Sequence, residues 1–582
     1  MIFSAVFALL LAPQFTESIV VTAERIEQPA RESAAAITVL RGEDLARTPA
    51  QNLGDALRLV PGFQVIAVNP GAPPMLSSRG FFGAGEVEYV QLLIDGIPAG
   101  DVESGLADWR SIPIEDIDRI EIVRGPGSSL FGDVALGGVV QVFRRRAPHA
   151  SVSVGSFGTR RANAGFAHGS ASYVRSDGFR RHSESEELFA NVAFGGFSLD
   201  ATHRDREDPG SQDPDGNDSE LFGEDRDETR RVRAAYRYHG AFDALVHATD
   251  RHSDVTRTLL LAPGFGDRAT RVVDTFAAGG NVTKTIGNVI GGVEVARATL
   301  DSRYAEVSGS GSRRLGAAFA SGEWRVTHSL RLAAGARYDR IDDSFEGEDV
   351  SDRAFSPRIG ASYESGLVTA YVQVARAFKA PTLDQRFDQR SILGFTISNP
   401  ALRAQHANNY EAGVRGANWE AVAYLMDVDD EIDLDLRAFR YANIGHSRHR
   451  GVETSWRGRF ASLGYTWTRV EADGAHQLKN IAEHVVRGAL DFANVHIGVE
   501  HSAGRWLDDA NQIPLDDATI VDLRVAKTIR SFTAAIEANN LFDTRYAPLG
   551  FLIGDVPYTY PAAGRSIALT LSWKGERHDL ER

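Results

Sequence analysis

Ser566-Ile567-Ala568-Leu569-Thr570-Leu571-Ser572-Trp573 puts Ile567, Leu569, Leu571 and Trp573 on one face of an extended chain. Ser566, Ala568, Thr570 and Ser572 fall on the other, because side chains of a strand alternate with period two. The pattern recurs upstream. Val368, Ala370, Val372 and Val374 repeat it, as do Val422, Tyr424, Met426 and Val428, and again Phe532, Ala534, Ile536 and Ala538. In residues 330–339 the set Leu330, Leu332, Ala334, Ala336 and Tyr338 alternates with Arg331, Ala333, Gly335, Arg337 and Asp339. Charge on one face and apolar or small groups on the other suit a large water-filled barrel, whose lumen is wet and whose outside meets lipid. A soluble all-β sandwich also alternates, and periodicity by itself leaves that reading open.

The chain has 582 residues, 43% of them apolar and 24% charged, room for a very large barrel with a companion domain. Past the first dozen residues no apolar run approaches the roughly 18–20 that a membrane helix needs, which excludes helical spans and not a barrel. A net charge of −15 argues against nucleic acid as a partner. With no Cys, disulfide frameworks, Cys-ligated zinc and thiol nucleophiles are excluded. Residues 1–12 (MIFSAVFALLLA), followed by Pro13, read as the apolar heart of a secretory signal rather than a buried helix, and residues 1–17 are assigned to it. No basic residue precedes that run, and no clean A-x-A site follows it.

Residues 24–146 read as α+β. Residues 52–60 (NLGDALRLV) carry Leu53, Leu57 and Val60 at helical spacing and stop at Pro61-Gly62. Residues 89–94 (YVQLLI) form an apolar strand closed by Asp95-Gly96, residues 114–118 a short helix, and residues 119–123 and 137–143 two further strands.

Several stretches resemble the TonB-dependent outer-membrane receptors. Ser18-Ile19-Val20-Val21-Thr22-Ala23 is similar to the TonB box. Leu92-Leu93-Ile94-Asp95-Gly96-Ile97-Pro98, then Arg124-Gly125-Pro126-Gly127-Ser128-Ser129-Leu130-Phe131-Gly132 and Ala135-Leu136-Gly137-Gly138-Val139-Val140, resemble the plug signature. Ala377-Phe378-Lys379-Ala380-Pro381-Thr382 and Gly451-Val452-Glu453 resemble mid-barrel patterns, and Asn539-Asn540-Leu541-Phe542-Asp543 with Tyr560-Pro561-Ala562-Ala563-Gly564-Arg565 the C-terminal signature. The resemblance implies a β-barrel membrane protein: a 22-stranded antiparallel transmembrane barrel filled by an N-terminal α+β plug, in the cell outer membrane of a Gram-negative-type bacterium. Its expected parts are a TonB box at 18–23, a plug at 24–147, a barrel at 148–573 and a tail at 574–582. About 420 residues over 22 strands gives about 19 per strand with its connection, comfortable for membrane strands of ~9–11.

Ser18, Ile19, Val20, Val21, Thr22 and Ala23, extended and β-branched, suit addition to a sheet edge of another protein; the resemblance names the periplasmic domain of TonB. The glycine-rich residues 124–132 lack the Gly-Lys-Ser/Thr of a phosphate loop and read as tight turns. Arg79 and Arg124 match plug arginines that in the family face two barrel glutamates, matched here by Glu411 and Glu453, a charge lock that pulling can release. The ligand is expected on a rim formed by Asn69, Met75, Phe81 and Phe82. Residues 205–228 hold eleven carboxylates and two arginines and read as an outer loop, with Asp213, Asp215 and Asp218 at calcium-loop spacing. Structural calcium there is the sole cofactor expected. His446 and His449 read as turn residues, and no catalytic constellation stands out. The expected function is energy-coupled uptake of a metal chelate, a ferric siderophore first and cobalamin second, with a passive porin as the reading from another class. The partners are then TonB, the chelate and outer-membrane lipid.

Overall fold

The computed structural model describes residues 20–21, 28–68, 72–83, 87–219, 223–262, 265–304, 307–387, 391–392, 395–435, 440–472, 477–508 and 510–575. Ser18, Ile19, Thr22, Ala23 and Asn69, with the signal segment at 1–17 and the tail from 576 onward, lie outside them.

A closed barrel of 22 antiparallel strands runs from His149–Gly155 to Ser566–Lys574, as the period-two pattern and the resemblance together predicted. The seam joins the two ends of the barrel segment, Ser151 opposite Ser572 and Val152 opposite Leu571. Val152, Val154, Leu569, Leu571, Val372 and Val374 are exposed on the outer surface, where lipid belongs. In Leu330–Phe345, Leu332 and Tyr338 point out while Arg337 and Asp339 are buried inside. Chain reversals at one end are tight, as at Gly195-Gly196 and Gly287-Asn288, whereas connections at the other reach 540–565. That asymmetry assigns the tight end to the periplasm and the long connections to the outside.

One strand inverts the expected polarity. Along Trp419–Asp429, Val422, Tyr424, Met426 and Val428 face the lumen and are buried. Tyr424, Met426 and Val428 pack with the plug's Phe81, Val87, Tyr89 and Leu136, and Val422 with the plug's Ala36. Apolar residues turn inward here because the lumen at this place holds protein rather than water.

The plug is lodged inside the barrel. Its main sheet orders Ile37–Arg41, Ile117–Arg124, Gly138–Arg144, Val90–Ile94 and Ile97–Pro98, with Gly138–Arg144 parallel to Val90–Ile94. A second sheet joins Phe63–Ile66, Met75–Ser78 and Phe81–Phe82. The helix Leu53–Leu57 starts on Asn52, whose side-chain oxygen accepts from the Asp55 amide at 3.1 Å, and buries Leu53 and Leu57. With Leu40, Phe63, Trp109, Ile120, Ile122 and Val142 they form the plug core. Each large side chain so buried contributes roughly 1.5–3 kcal/mol. The helix expected at 114–118 is one 3-10 turn, Ile114–Asp116, since Ile117 already begins the strand.

The acidic stretch is likewise less of a loop than expected. Residues up to Asp208 belong to Phe197–Asp208 and those from Gly223 to Gly223–His239, so the hairpin stem carries much of the charge. Asp227 turns inward to Arg204 at 3.1 Å and Arg206 at 2.7 Å.

Opposite facing of Val372 and Met426 gives a direct test. Val372→Arg puts a charge in lipid, at roughly 2–4 kcal/mol near the bilayer midplane, and should lower the amount of folded barrel in the outer membrane. Met426→Asp should leave that amount near normal while making the plug more sensitive to protease. Equal loss of barrel in both variants would contradict the inward assignment.

Candidate functional site: the plug ion pairs and the outer cavity

Arg79 sits at the turn between Met75–Ser78 and Phe81–Phe82, with φ of 51° at Arg79 and 88° at Gly80. Its Nη1 donates to Glu411 Oε2 at 2.6 Å and its Nε to Glu453 Oε1 at 2.9 Å, and all three side chains are buried. Arg124, at the end of its strand, reaches Glu453 Oε2 through Nη1 at 2.5 Å and Glu420 through Nη2. Glu453 thus bridges both arginines. The four residues singled out in the sequence come together, and Glu420, Tyr424 and His449 join them. The Tyr424 ring lies under the Arg79 guanidinium, 4.4 Å from its centroid. His449 belongs to the strand His446–Arg457 rather than to a turn; its Nδ1 donates to the Arg79 carbonyl at 3.0 Å. None of these three carried a motif, and only their inward parity on adjacent strands could have marked them.

Glycine makes the approach possible. At Gly62 (φ 82°) a Cβ would stand 2.4 Å from Glu453 Oε1, and at Gly125 (φ 81°) 2.2 Å from Arg79 Nη1. Any side chain at either position would push the ion pairs apart, besides adopting a left-handed backbone.

Above the plug a cavity of about 950 Å³ opens toward the long connections. Its walls include Met75, Phe82, Trp109, Arg251, Tyr441 and Phe551. Met75 and Phe82 line it, packed near Tyr560 and Leu549. Phe81 does not: it is fully buried, stacked on His449 at 4.3 Å and Tyr89 at 5.4 Å, and serves as plug core. A second cavity of about 730 Å³, lined by Pro49, Asp55, Arg58, Arg487 and Asp522, runs beside the plug from the tight turns at Leu367 and Asn418 to Phe157 and Ala563 at the opposite end.

The remaining sequence candidates fare differently. Val20–Val21 is not partnerless, since it pairs antiparallel with Gln28–Pro29 of its own chain. Asp213, Asp215 and Asp218 are not gathered as a ligand set: Asp213 closes a turn by accepting the amides of Asp215 and Asn217, and Asp218 is held by Arg180 at 2.6 Å. Among the described residues no group of three or more His, Asp or Glu could hold a metal ion.

Two predictions follow from this geometry. Glu453→Ala takes one carboxylate from both buried guanidiniums, leaving Arg79 to Glu411 and Arg124 to Glu420, and should destabilise the plug by about 1.5–3 kcal/mol for each charged hydrogen bond lost. Arg79→Ala with Glu411→Ala should couple by roughly 0.5–3 kcal/mol, whereas Arg124→Ala with Glu411→Ala, which share no hydrogen bond, should couple less. Hydrogen exchange of the plug strands measures both, and equal coupling in the two cycles would contradict a contact-specific lock. The second prediction concerns Glu88, which lines the cavity and accepts from Trp109 Nε1 at 2.9 Å and from the Tyr89 and Val90 amides at 3.0 and 3.2 Å. Burial outweighs these donors and pushes its carboxyl up from 4.5 to about 7. A carboxyl protonated in the folded plug stabilises it fully below its unfolded value, and that contribution is lost as pH rises through the folded one. Plug stability should therefore decline from pH 4.5 to about 7, and Glu88→Gln should flatten that decline; an unchanged pH profile would rule Glu88 out as its source.

Known proteins share this architecture. Residues 148–541 match the family model of the TonB dependent receptor-like β-barrel, and residues 29–139 that of the TonB-dependent receptor plug domain. The vitamin B12 transporter BtuB of Vibrio cholerae serotype O1 is 25% identical over 631 aligned positions, covering 96% of this chain and 95% of BtuB. The pyoverdine outer-membrane receptor FpvA of Pseudomonas aeruginosa PAO1 superposes with a TM-score of 0.75 at 16% identity, over 97% of this chain and 98% of FpvA. The ferric citrate transporter FecA does so with 0.72 at 16% identity, over 94% and 98%. With a plug held by buried ion pairs inside a 22-stranded barrel, and with both family models matched over most of its length, this chain belongs to the TonB-dependent receptors of the outer membrane.

Proposed function

We propose that this receptor imports a metal chelate across the outer membrane, first of all a ferric siderophore, using work delivered by TonB to residues 18–23. The observation that carries the reading is the outward cavity of about 950 Å³ above a plug lodged in the lumen. That volume lies within the range of about 300–1,000 Å³ typical of small-molecule sites, and its aromatic and charged walls suit a bulky polar chelate. An open porin would offer no folded domain in its lumen, so the passive-pore reading finds no support here. Arginines along one wall favour a ligand with anionic groups, as many siderophores have. Cobalamin is the second reading, favoured by full-length similarity to a vitamin B12 transporter. The pairing of Val20–Val21 with Gln28–Pro29 supports a segment already extended, which exchanges one strand partner for another when TonB adds its sheet edge.

Competition growth on ferric siderophores and on cyanocobalamin, with and without the gene and with and without TonB, tests the reading. Growth independent of the gene on every chelate would end it. Val21→Pro removes a backbone donor and should abolish uptake while surface binding of the same chelate persists. Normal transport by that variant would move the TonB contact elsewhere. Met75→Ala with Phe82→Ala should weaken chelate binding without changing barrel abundance, whereas Phe81→Ala should loosen the plug, by about 3–5 kcal/mol for a core aromatic. Unchanged affinity in the first variant would place the ligand on the barrel connections alone.

A further inference from the structure

The outer cavity has one wall made of neighbouring strands whose inward positions carry Arg204, Arg231, Arg251 and Arg271. Most of these cations are matched. Arg204 meets Asp108 at 3.0 Å and Asp227 at 3.1 Å, and Arg271 meets Asp384 at 2.7 Å. Arg231 is the exception. Among the described residues it makes no ion pair within 4 Å, Asp108 and Asp200 attracting it only from farther off against the repulsion of Arg233 and Arg251, and its hydrogen bonding amounts to a 3.5 Å contact from Nη1 to the Ala99 carbonyl. Its partners in the ladder are Thr202 on one side and Arg251 on the other. Arg251 in turn reaches Glu103 Oε1 through its buried Nη1 at 3.4 Å, an ion pair that lacks hydrogen-bond geometry.

Two like charges directly opposite in an antiparallel pair sit about 4.5–5.5 Å apart at Cβ and repel. A wall that could hold Ser or Thr at this place, as at Thr202, Thr249 and Ser253 around it, instead holds two guanidiniums facing a ligand-sized space. Guanidinium donors are the groups that recognise carboxylate and phosphate oxygens by paired, charge-assisted hydrogen bonds. From this juxtaposition we infer that Arg231 and Arg251 form an anion seat: the natural ligand brings an anionic oxygen group, of the carboxylate type, that settles between the two guanidiniums. The inference rests on the cavity being the ligand site and specifies what the ligand must carry. Ligands that lack a free anionic group would leave the repulsion in place and bind less well.

The test uses the full chain purified in detergent, with sodium citrate as a simple polycarboxylate probe against sodium chloride at matched ionic strength, read by thermal unfolding. Citrate should raise the melting temperature of the unaltered protein. Arg231→Gln should need at least about tenfold more citrate for the same rise, consistent with losing one charged hydrogen bond. Arg231→Lys should recover part of the effect, and Arg251→Gln should resemble Arg231→Gln. Arg340→Gln, which removes an exposed outward-facing charge of the same sign, should behave as the unaltered chain. Without citrate, Arg231→Gln should melt no lower than the unaltered protein, because it removes a repulsion. Absence of any citrate effect, an equal effect in Arg231→Gln, or a lower melting temperature of that variant without citrate would each overturn the seat. The transport reading fails separately. If no chelate is taken up with the help of TonB while the citrate response holds, the seat stands and the proposed import falls. If cyanocobalamin binds and is imported equally by Arg231→Gln and the unaltered chain with no citrate response, import stands and the seat falls.

Discussion

Every backbone N–H and C=O inside hydrocarbon must find a partner within the protein, and the rest of this molecule follows from that requirement. A sheet with two open edges cannot meet it, so His149–Gly155 has to close on Ser566–Lys574, more than 400 residues away in sequence. Closure by 22 strands leaves a lumen far wider than barrel side chains alone can fill. The plug fills it. Its fold is therefore subordinate to the barrel: the strand Gly138–Arg144 ends just short of the first barrel strand, and the polypeptide passes from one sheet to the other within a few residues.

The interface between the two parts is neither wholly greasy nor wholly wet. Phe81, Tyr89 and Leu136 pack on Tyr424, Met426 and Val428, while a few residues away Arg79 and Arg124 meet three glutamates. Apolar contact fixes position with little directional demand. Buried ion pairs do the opposite, for they are costly to break singly and contribute little net stability when whole. A domain seated in this way is well placed at rest and can still be displaced when force moves several charged groups together.

Much of the barrel could be read from the chain because its lipid face imposes period-two alternation, as in Val368–Lys379 and Ser566–Lys574. The reading failed at Trp419–Asp429, where the same alternation carries apolar residues inward; periodicity reports which residues share a face and is silent on what lies opposite. Arg79, Arg124, Glu411 and Glu453 were legible through motif resemblance alone, and Glu420 was invisible because no motif contains it. Phe81 and Phe82, adjacent and chemically identical, separate into core and cavity wall only when the turn at Arg79-Gly80 fixes their parity. The short plug elements Gly42–Leu45 and Ser128–Phe131 span little more than one turn, too few residues for helical spacing to register.

The strands differ greatly in length, from 7 residues in His149–Gly155 to 22 in Phe265–Ile286. At about 3.3 Å per residue and a tilt near 40°, the longest rises roughly 55 Å, about 30 Å beyond an apolar band of about 25 Å. Outward residues on the upper part of its neighbour Val289–Tyr304 are accordingly charged, Asp301 and Arg303 among them. The barrel wall is thus lopsided, its strands long between residues 223 and 365 and short beside the seam, where the connection 540–565 adds a separate hairpin, Leu549–Ile553 with Val556–Tyr560. A particle broader than the barrel meets the tall hairpins well above the bilayer. Size exclusion at the cell surface is in this way set by strand length, before any binding contact is made.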